Sequence, residues 1–391
     1  MPFRKASFRP REAVAAVALL LVLGACTSGH PGPGPAVRRQ AISEDVQGHL
    51  ISERRIQGPH GTRAWRVFYM SRSLAGDPVR VSGVVVAPRA PAPDGGYPIV
   101  SWAHGIVGLA DHCAPSRQRP LIGSSVPALH LGKLGMVIAA SDYEGLGTPG
   151  PHPTAVGESE GRSVLDIARA VRQMPQLDTR NQVVVFGHSE GGQAALFAGQ
   201  LAKTYAPELH LMGVIASAPA AELPMLTRAF PVSGLIGYLV MAAVAYHDTY
   251  PGLSLDNVLT PWAMSQLPAV RSECAAEVLQ RFDVPETQVF KSEAFSVRPW
   301  PSLLARNTPG AVSIPAPVLI VQGIDDPTIP PQTVRTLGGR LCDRGDVVEY
   351  REYPWVGHEP IASAAPDILG WTQARLLGAP PPTSCGDPAL T

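Results

Sequence analysis

The chain has 391 residues with equal numbers of basic and acidic side chains, 32 of each, so its formal net charge is zero. It therefore lacks the basic excess typical of nucleic-acid-binding proteins, and its length allows one large α/β domain with an insertion. Proline (41) and glycine (38) are abundant, but apolar runs recur throughout, which indicates long ordered loops rather than disorder.

The N-terminal segment is predicted to be an export signal. Basic residues precede the apolar run Ala13–Leu23, which is followed by Gly24, Ala25 and Cys26. A basic start, a short apolar core and small residues are typical of a signal peptide, and the run is short for a membrane span. Because the segment ends on a cysteine, it resembles the lipobox of bacterial lipoproteins, in which this cysteine is lipidated.

This interpretation divides the chain into a signal peptide (1–26), a Gly/Pro-rich tether (27–45) and a folded domain (46–391). It places the protein on the outer face of the bacterial cytoplasmic membrane, held there through a lipidated Cys26, or elsewhere in the cell envelope. The alternatives are an ordinary signal peptide on a secreted protein and an uncleaved anchor.

Apolar, β-branched runs alternate with helical segments along the rest of the chain. This alternation predicts an α/β fold with a mostly parallel eight-stranded sheet and helices on both faces. The predicted strands are Arg66–Met70, Val79–Val86, Ile99–Ala103, Met136–Ala140, Val183–Phe186, Leu211–Ser217, Val318–Gln322 and Val347–Tyr353. The predicted helices are Ser163–Gln173, Gln193–Lys203, Pro331–Leu341 and Pro360–Leu377.

The sequence Gly187-His188-Ser189-Glu190-Gly191 follows the strand Val183–Phe186 and precedes a helix of small residues. Strand, sharp turn and helix around Gly-x-Ser-x-Gly are the pattern of a nucleophile elbow. The fold must present the serine to a base, because a free hydroxyl is a poor nucleophile. Ser189 is therefore the predicted nucleophile.

A second Gly-x-Ser-x-Gly lies at Gly157-Glu158-Ser159-Glu160-Gly161. It follows a proline-rich stretch and has no strand before it, so the pattern indicates a helix start rather than an elbow. Ser159 and Ser163 are the candidate caps of that helix.

The acid and the base of such a site follow the nucleophile in the order serine, carboxylate, histidine. Two carboxylates, Asp325 and Asp326, come directly after the strand Val318–Gln322. The pattern Gly-x-x-Asp-x-x-Ile-Pro favours Asp326, with Asp325 as the alternative. His358 is the one histidine beyond them, so it is the predicted base.

The oxyanion hole needs two backbone N–H groups directed at the developing negative charge. The first is predicted to be that of Glu190, directly after the nucleophile. The second is predicted at Ile106, because His104-Gly105 at a strand end is typical of the loop that supplies it. His188 points away from the base position and is expected to shape the pocket.

No clear strand lies between Ala220 and Pro317, so an inserted helical cap is predicted at about residues 221–315, over the site. The apolar run Leu235–Tyr246 is interpreted as a buried cap helix that also lines an acyl-chain pocket.

Four cysteines remain after Cys26, namely Cys113, Cys274, Cys342 and Cys385. An even number in an exported protein favours two disulfides. No zinc-binding spacing is present, so no metal is expected.

Several of these motifs together resemble the secretory lipase family, which includes secreted yeast lipases and exported actinobacterial proteins. They are Ala103-His104-Gly105, Cys113-Ala114-Pro115-Ser116, Ser141-Asp142-Tyr143-Glu144-Gly145-Leu146-Gly147 and the segment around Ser189. The resemblance implies an α/β-hydrolase fold, a helical cap and a triad of Ser189, Asp326 and His358. It also implies the disulfides Cys113–Cys274, from core to cap, and Cys342–Cys385, at the C-terminal tail.

The predicted function is hydrolysis of carboxylic esters or lipids through an acyl-enzyme on Ser189. The protein is expected to act as a monomer, without a cofactor, on a small-molecule ester or lipid. The alternatives are an acyltransferase or peptidase with the same triad, and a non-catalytic binding lipoprotein on a hydrolase scaffold.

Overall fold

A nine-stranded sheet is the centre of this computed structural model, which describes residues 46–118, 135–388 and 390. The strands are β1 (Leu50–Ile56), β2 (Thr62–Arg72), β3 (Pro78–Pro88), β4 (Tyr97–Ala103), β5 (Val137–Glu144), β6 (Thr179–His188), β7 (His210–Ser217), β8 (Val318–Gly323) and β9 (Val348–Tyr353). Their order across the sheet is β1-β2-β3-β5-β4-β6-β7-β8-β9.

The predicted signal peptide 1–26, with Cys26, and the predicted tether 27–45 lie outside the described residues. Within the described ranges, no helix combines the length and the apolar character that a membrane crossing requires.

The α/β-hydrolase fold is confirmed, but the sheet has nine strands and is mixed, not eight-stranded. Each predicted strand overlaps one of β2 to β9, and β1 is the strand that the sequence did not indicate. The five central residues of β1 are exposed, so this edge strand has no alternation of apolar and polar residues. The β1–β2, β2–β3 and β3–β5 pairs are antiparallel, whereas β5, β4, β6, β7, β8 and β9 run parallel.

Helices connect the parallel strands and fill the segment between β7 and β8. In the described residues they are α1 (Gly157–Val171), α2 (Glu190–Tyr205), α3 (Leu223–Val232), α4 (Ile236–Thr249), α5 (Pro261–Ser265), α6 (Leu267–Val270), α7 (Ala275–Arg281), α8 (Glu286–Val289), α9 (Trp300–Arg306), α10 (Pro331–Asp343) and α11 (Ile361–Leu376). The four predicted helices correspond to α1, α2, α10 and α11.

The central strands are apolar on both faces, because helices cover both faces of the parallel part of the sheet. In β6, Val183 and Val185 belong to the hydrophobic cluster that includes α1 and α2. Val184 and Phe186 belong to the cluster on the opposite face, which includes Trp371 of α11. Continuous burial of this kind explains why apolar runs located these strands.

The segment between β7 and β8 contains helices α3 to α9, at 223–306, and we call it the helical insertion. The apolar run Leu235–Tyr246 forms most of α4, and its tyrosine Tyr246 is buried. Most of the α4 side chains are buried, as expected for a helix that packs on several sides.

Both disulfides implied by the family resemblance are present. Cys113–Cys274 joins the segment after β4 to the residue that precedes α7 in the helical insertion. Cys342–Cys385 joins α10 to the C-terminal segment. The first bridge adds to a backbone hydrogen bond from Ala275 N–H to the carbonyl of Val107 (2.9 Å), so the loop after β4 is held to the insertion at two adjacent points.

Candidate active site

Ser189 lies in a tight turn between the end of β6 and the start of α2. Its backbone is left-handed, with φ 57° and ψ −121°, a conformation that costs free energy in any residue with a side chain. Its N–H donates to the carbonyl of Ser217 at 2.8 Å, and its carbonyl accepts from Ala220 N–H at 3.0 Å. The last residue of β7 and the segment directly after it therefore hold the strained turn on both sides.

The two glycines of the motif are required by close backbone contacts. A Cβ on Gly187 would lie 1.8 Å from the carbonyl oxygen of Gly191. A Cβ on Gly191 would lie 2.0 Å from the carbonyl oxygen of Ala103. Since real atoms do not approach so closely, only glycine fits at either position. This is the physical basis of Gly-x-Ser-x-Gly here.

His358 lies in the loop between β9 and α11, and its ring reaches the serine. Its Nε2 is 2.9 Å from Ser189 Oγ, which is the distance of a good hydrogen bond. The ring of His188 packs against that of His358, with the centroids 4.8 Å apart. The Nε2 atom of His188 lies 3.4 Å from Glu359 Oε1, and its Nδ1 atom lies 3.3 Å from Ser217 Oγ. These contacts fix the His188 ring against the ring of His358.

Asp326 binds the other ring nitrogen of His358. Its Oδ2 is 2.9 Å from His358 Nδ1 and also accepts from Gln322 Nε2 at 3.0 Å. Its Oδ1 accepts from the backbone N–H groups of Thr328 (2.8 Å) and Ile329 (2.9 Å). The carboxylate is thus fixed by several donors and binds the Nδ1 edge of the imidazole, which leaves Nε2 directed at Ser189.

Two opposing effects set the pKa of Asp326. Burial acts to raise it, but the hydrogen bond and charge of His358 and the N–H groups of Ile329 and Thr328 lower it, with a net shift below its usual value. The carboxyl group is therefore ionised over the neutral range.

Asp325, the alternative acid, is exposed and has no side-chain contact with His358 among the described residues. Its backbone N–H donates to the carbonyl of Val356 at 3.0 Å, which ties the β8 loop to the loop that carries His358. The structure therefore brings together Ser189, His358 and Asp326 and leaves Asp325 outside.

The loop after β4 lies directly against Ser189. A Cβ built on Gly105 would lie 3.3 Å from Ser189 Cβ, and Ile106 lines the same cavity as Ser189. Tyr143 Oη donates to the carbonyl of His104 at 2.8 Å and so fixes the start of this loop. Within the described residues, the N–H groups of Glu190 and Ile106 have no backbone acceptor. Their role as an oxyanion hole stays a prediction.

The second Gly-x-Ser-x-Gly begins α1, as predicted, but neither serine caps the helix. The helix begins at Gly157 and its N-cap is Val156, so Ser159 and Ser163 lie inside it. Ser159 Oγ donates to Glu144 Oε2 at 2.5 Å and is buried away from the cavity.

An apolar cavity of about 260 Å³ opens at Ser189 and His358. Its walls come mainly from the helical insertion. The apolar residues that line it include Leu223, Leu226, Phe230, Leu239, Ala243, Tyr246, Phe295, Trp300 and Leu304. The cavity is therefore suited to a hydrocarbon group whose polar end lies at Ser189.

Sequence reasoning missed Gln322 as a partner of Asp326 and Glu160 as a neighbour of Glu190. A glutamine at the end of an otherwise apolar buried strand was the available signal for Gln322. For Glu160 the signal was its position in the second glycine-rich motif, which α1 brings next to the elbow.

The sheet, the turn at Ser189 and the order of the three side chains define an α/β-hydrolase. The model of the secretory lipase family matches residues 126–384, more than half of the chain, and the chain belongs to that family. Membership supports a role in the hydrolysis of lipid esters.

Known proteins with similar sequences or structures agree with this placement. A probable inactive lipase of Mycobacterium tuberculosis is 24% identical over 380 residues, which cover 90% of this chain and 80% of that protein. A secreted triacylglycerol lipase, LIP4, of Malassezia globosa is 27% identical over 345 residues, covering 81% and 73%. Lipase A of Candida antarctica in its closed state has the same fold, with a TM-score of 0.78 at 20% identity, covering 89% of this chain and 86% of that chain.

The close contact at Gly191 leads to a stability prediction. Gly191→Ala should lower the free energy of unfolding by about 3 kcal/mol or more, because the new Cβ collides with the backbone of Ala103. Gly370→Ala is the matched control: its Cβ meets nothing within 4 Å, and alanine in α11 should add about 0.5–1 kcal/mol. Denaturant unfolding of both variants measures this. Equal stabilities would show that the elbow is less tightly closed than the geometry requires.

Proposed function

We propose that the protein is a serine carboxylic-ester hydrolase that acts on acyl esters or lipids. The observation that supports this most directly is the hydrogen-bonded series from Ser189 Oγ through the His358 ring to Asp326 Oδ2, with both distances at 2.9 Å. Ser189 and His358 also line a cavity with apolar walls.

In the proposed reaction, His358 Nε2 takes the proton of Ser189 as Oγ attacks the carbonyl carbon of the ester. The C–O π electrons move to the oxygen, and the N–H groups of Glu190 and Ile106 stabilise that charge. His358 then gives the proton to the leaving alcohol as the ester bond breaks, which leaves an acyl group on Ser189. A water molecule, deprotonated by the same imidazole, releases the acid and restores the serine.

Asp326 supports each of these steps without giving up or taking a proton. As a carboxylate it accepts from Nδ1 of His358, so Nε2 is the nitrogen free to bind the serine proton. It also stabilises the imidazolium that forms after proton transfer. The four donors around its two oxygens hold it in that role.

The acyl part of the substrate is assigned to the cavity beneath the helical insertion. Burial of a hydrocarbon group there is favourable by about 25 cal/mol for each Å² removed from water. The insertion would then act as the cap over the site, as the sequence predicted, with α4 as its main wall.

A mycobacterial relative is described as a probable inactive lipase, so activity cannot be inferred from family membership. Two features support activity here: all three side chains are present, and they lie within hydrogen-bond distance in the right order. A binding protein would have no need for a strained serine, an oriented imidazole and a multiply bonded carboxylate in one cluster.

The function is tested by the neighbouring pair Asp326 and Asp325. Asp326→Asn should lower kcat for a p-nitrophenyl ester by about 10⁴-fold, because the amide favours the wrong imidazole tautomer. Asp325→Asn, the same change one residue away on the surface, should alter kcat by no more than about twofold. Initial rates with esters of short and long acyl chains provide the measurement. A wild-type protein that hydrolyses none of them would contradict the proposal.

We also propose that the protein is exported and anchored through Cys26. Relatives named as secreted lipases support export, and the lipobox-like sequence supports the anchor. One acyl chain gives only marginal membrane binding, so stable anchoring needs two or more. In the native host, mass spectrometry of the mature N-terminus should find a lipidated Cys26 in the membrane fraction. Freely secreted protein with an unmodified N-terminus would refute the anchor and leave the hydrolase proposal intact.

A further inference from the structure

Two buried carboxyl groups lie against each other directly behind the nucleophile. Glu190 is the first residue of α2 and is 1% exposed, and Glu160 of α1 is completely buried. One backbone group, the N–H of Ala155, donates to Oε1 of both, at 2.8 Å for Glu160 and 3.0 Å for Glu190. The two glutamates come from the two Gly-x-Ser-x-Gly motifs, which α1 and α2 bring side by side.

The surroundings of this pair provide too few donors for two negative charges. Counted as carboxylates, each has an Oε2 that is buried and without a partner among the described residues. In the same part of the chain, no basic side chain forms an ion pair with either glutamate. A single proton between them turns one Oε2 into a donor and their contact into a hydrogen bond.

The titratable groups that face the pair add no positive charge. Three tyrosines face the pair, namely Tyr143 of β5 and Tyr238 and Tyr246 of α4. Burial raises the pKa of each most, and the charge of the glutamates raises it further, so all three are neutral. Beyond Tyr143, burial lowers the pKa of His104, and it lowers that of His152 to about 3, so neither imidazole is a counter-charge at neutral pH.

Contacts with Glu160, with the Ala155 N–H and with the Thr154 hydroxyl, in decreasing order, lower the pKa of Glu190 and oppose the effect of burial. Burial is the main cause that raises the pKa of both carboxyls, to about 7 for Glu190, and the charge of Glu190 raises that of Glu160 further. At neutral pH the pair therefore keeps at least one proton.

The pair connects three parts of the proposed site. Glu190 carries the N–H that we assign to the oxyanion hole. Ala155 lines the cavity, and its carbonyl accepts from Tyr246 Oη of α4 at 3.1 Å and from Gln193 Nε2 of α2 at 3.2 Å. A repulsion between the carboxyls would therefore disturb the elbow, the Ala155 loop and the wall of the helical insertion together.

We infer that Glu160 and Glu190 are positioning residues that share a proton, and that loss of this proton switches the hydrolase off at alkaline pH. The protonated pair holds the Glu190 backbone and the Ala155 loop in place. Once the proton is lost, two like charges repel in a buried site, and a negative charge lies beside the predicted oxyanion hole. The inference rests on the proposed function for its effect on rate, but not for its effect on stability.

The stability effect has a definite sign. Both carboxyls have a pKa in the folded protein above the usual 4.5. Their contribution to stability is therefore complete below that value and is lost as the pH rises through about 7 and beyond. Glu190→Gln removes one ionisation and keeps a donor for Glu160, so it should reduce this loss.

The experiment measures the unfolding midpoint and kcat across pH for the wild type, Glu190→Gln, Glu160→Gln and Glu158→Gln. Glu158 is the control, because it belongs to the same motif as Glu160 but is partly exposed and forms ion pairs with Arg162 and Arg306. Relative to the wild type, Glu190→Gln and Glu160→Gln should each gain about 2–4 °C in Tm on going from about pH 5 to about pH 8. Their alkaline loss of kcat should move to higher pH, whereas Glu158→Gln should follow the wild type in both.

Parallel Tm curves for the wild type and both pair variants would overturn the shared proton. If only one of the two pair variants folds, its Tm curve alone tests the shared proton. A shift in Tm with an unchanged alkaline limb of kcat would overturn the link to catalysis. If the wild type hydrolyses no ester, the proposed function fails, and the Tm curves still test whether Glu160 and Glu190 share a proton.

Discussion

The left-handed backbone at Ser189 is the constraint on which the rest of the site depends. It places Oγ above the end of the sheet, within 2.9 Å of His358, and it makes Gly187 and Gly191 obligatory. Such strain persists only where the surroundings hold it. Here Ser217, at the end of β7, and Ala220, just after it, each form a backbone hydrogen bond with Ser189. The parallel sheet beneath the turn is buried on both faces. Packing far from the chemistry thus stabilises a conformation that the chemistry requires.

Carboxyl groups at two places in this site have opposite protonation states. Asp326 has two backbone N–H donors, an amide and an imidazole around it, so its charge is stabilised despite burial. Glu160 and Glu190 share one backbone donor and face each other. Protonation of one carboxyl therefore costs less free energy than keeping both ionised. The supply of donors, rather than burial alone, decides which carboxyl is ionised.

Residues whose role depends on local sequence could be predicted. Residues whose role depends on how distant segments pack in the folded chain could not. Continuous apolar runs located eight strands because helices bury both faces of the parallel part of the sheet, whereas β1 is an exposed edge with no such pattern. The elbow identified Ser189, and His358 was the one histidine beyond the two candidate carboxylates. The pattern Gly-x-x-Asp-x-x-Ile-Pro favoured Asp326 over Asp325, although both follow the same strand.

The Glu160–Glu190 contact could not be inferred, because it depends on how α1 and α2 pack. The disulfide pairing came from family resemblance and not from spacing, because four cysteines allow three pairings. The cavity, likewise, exists only where α3, α4 and α9 meet above Ser189.

The most direct test of the account is covalent labelling with a phosphonate ester that reacts with activated serines. Ester attack and phosphonate attack need the same deprotonated Oγ, so the reagent reports on the nucleophile itself. Peptide mass spectrometry should find one phosphonyl group per chain, on Ser189, and Ser189→Ala should take up none. A label on Ser159, or a folded wild-type protein that takes up no label, would contradict the assignment of Ser189 as the nucleophile.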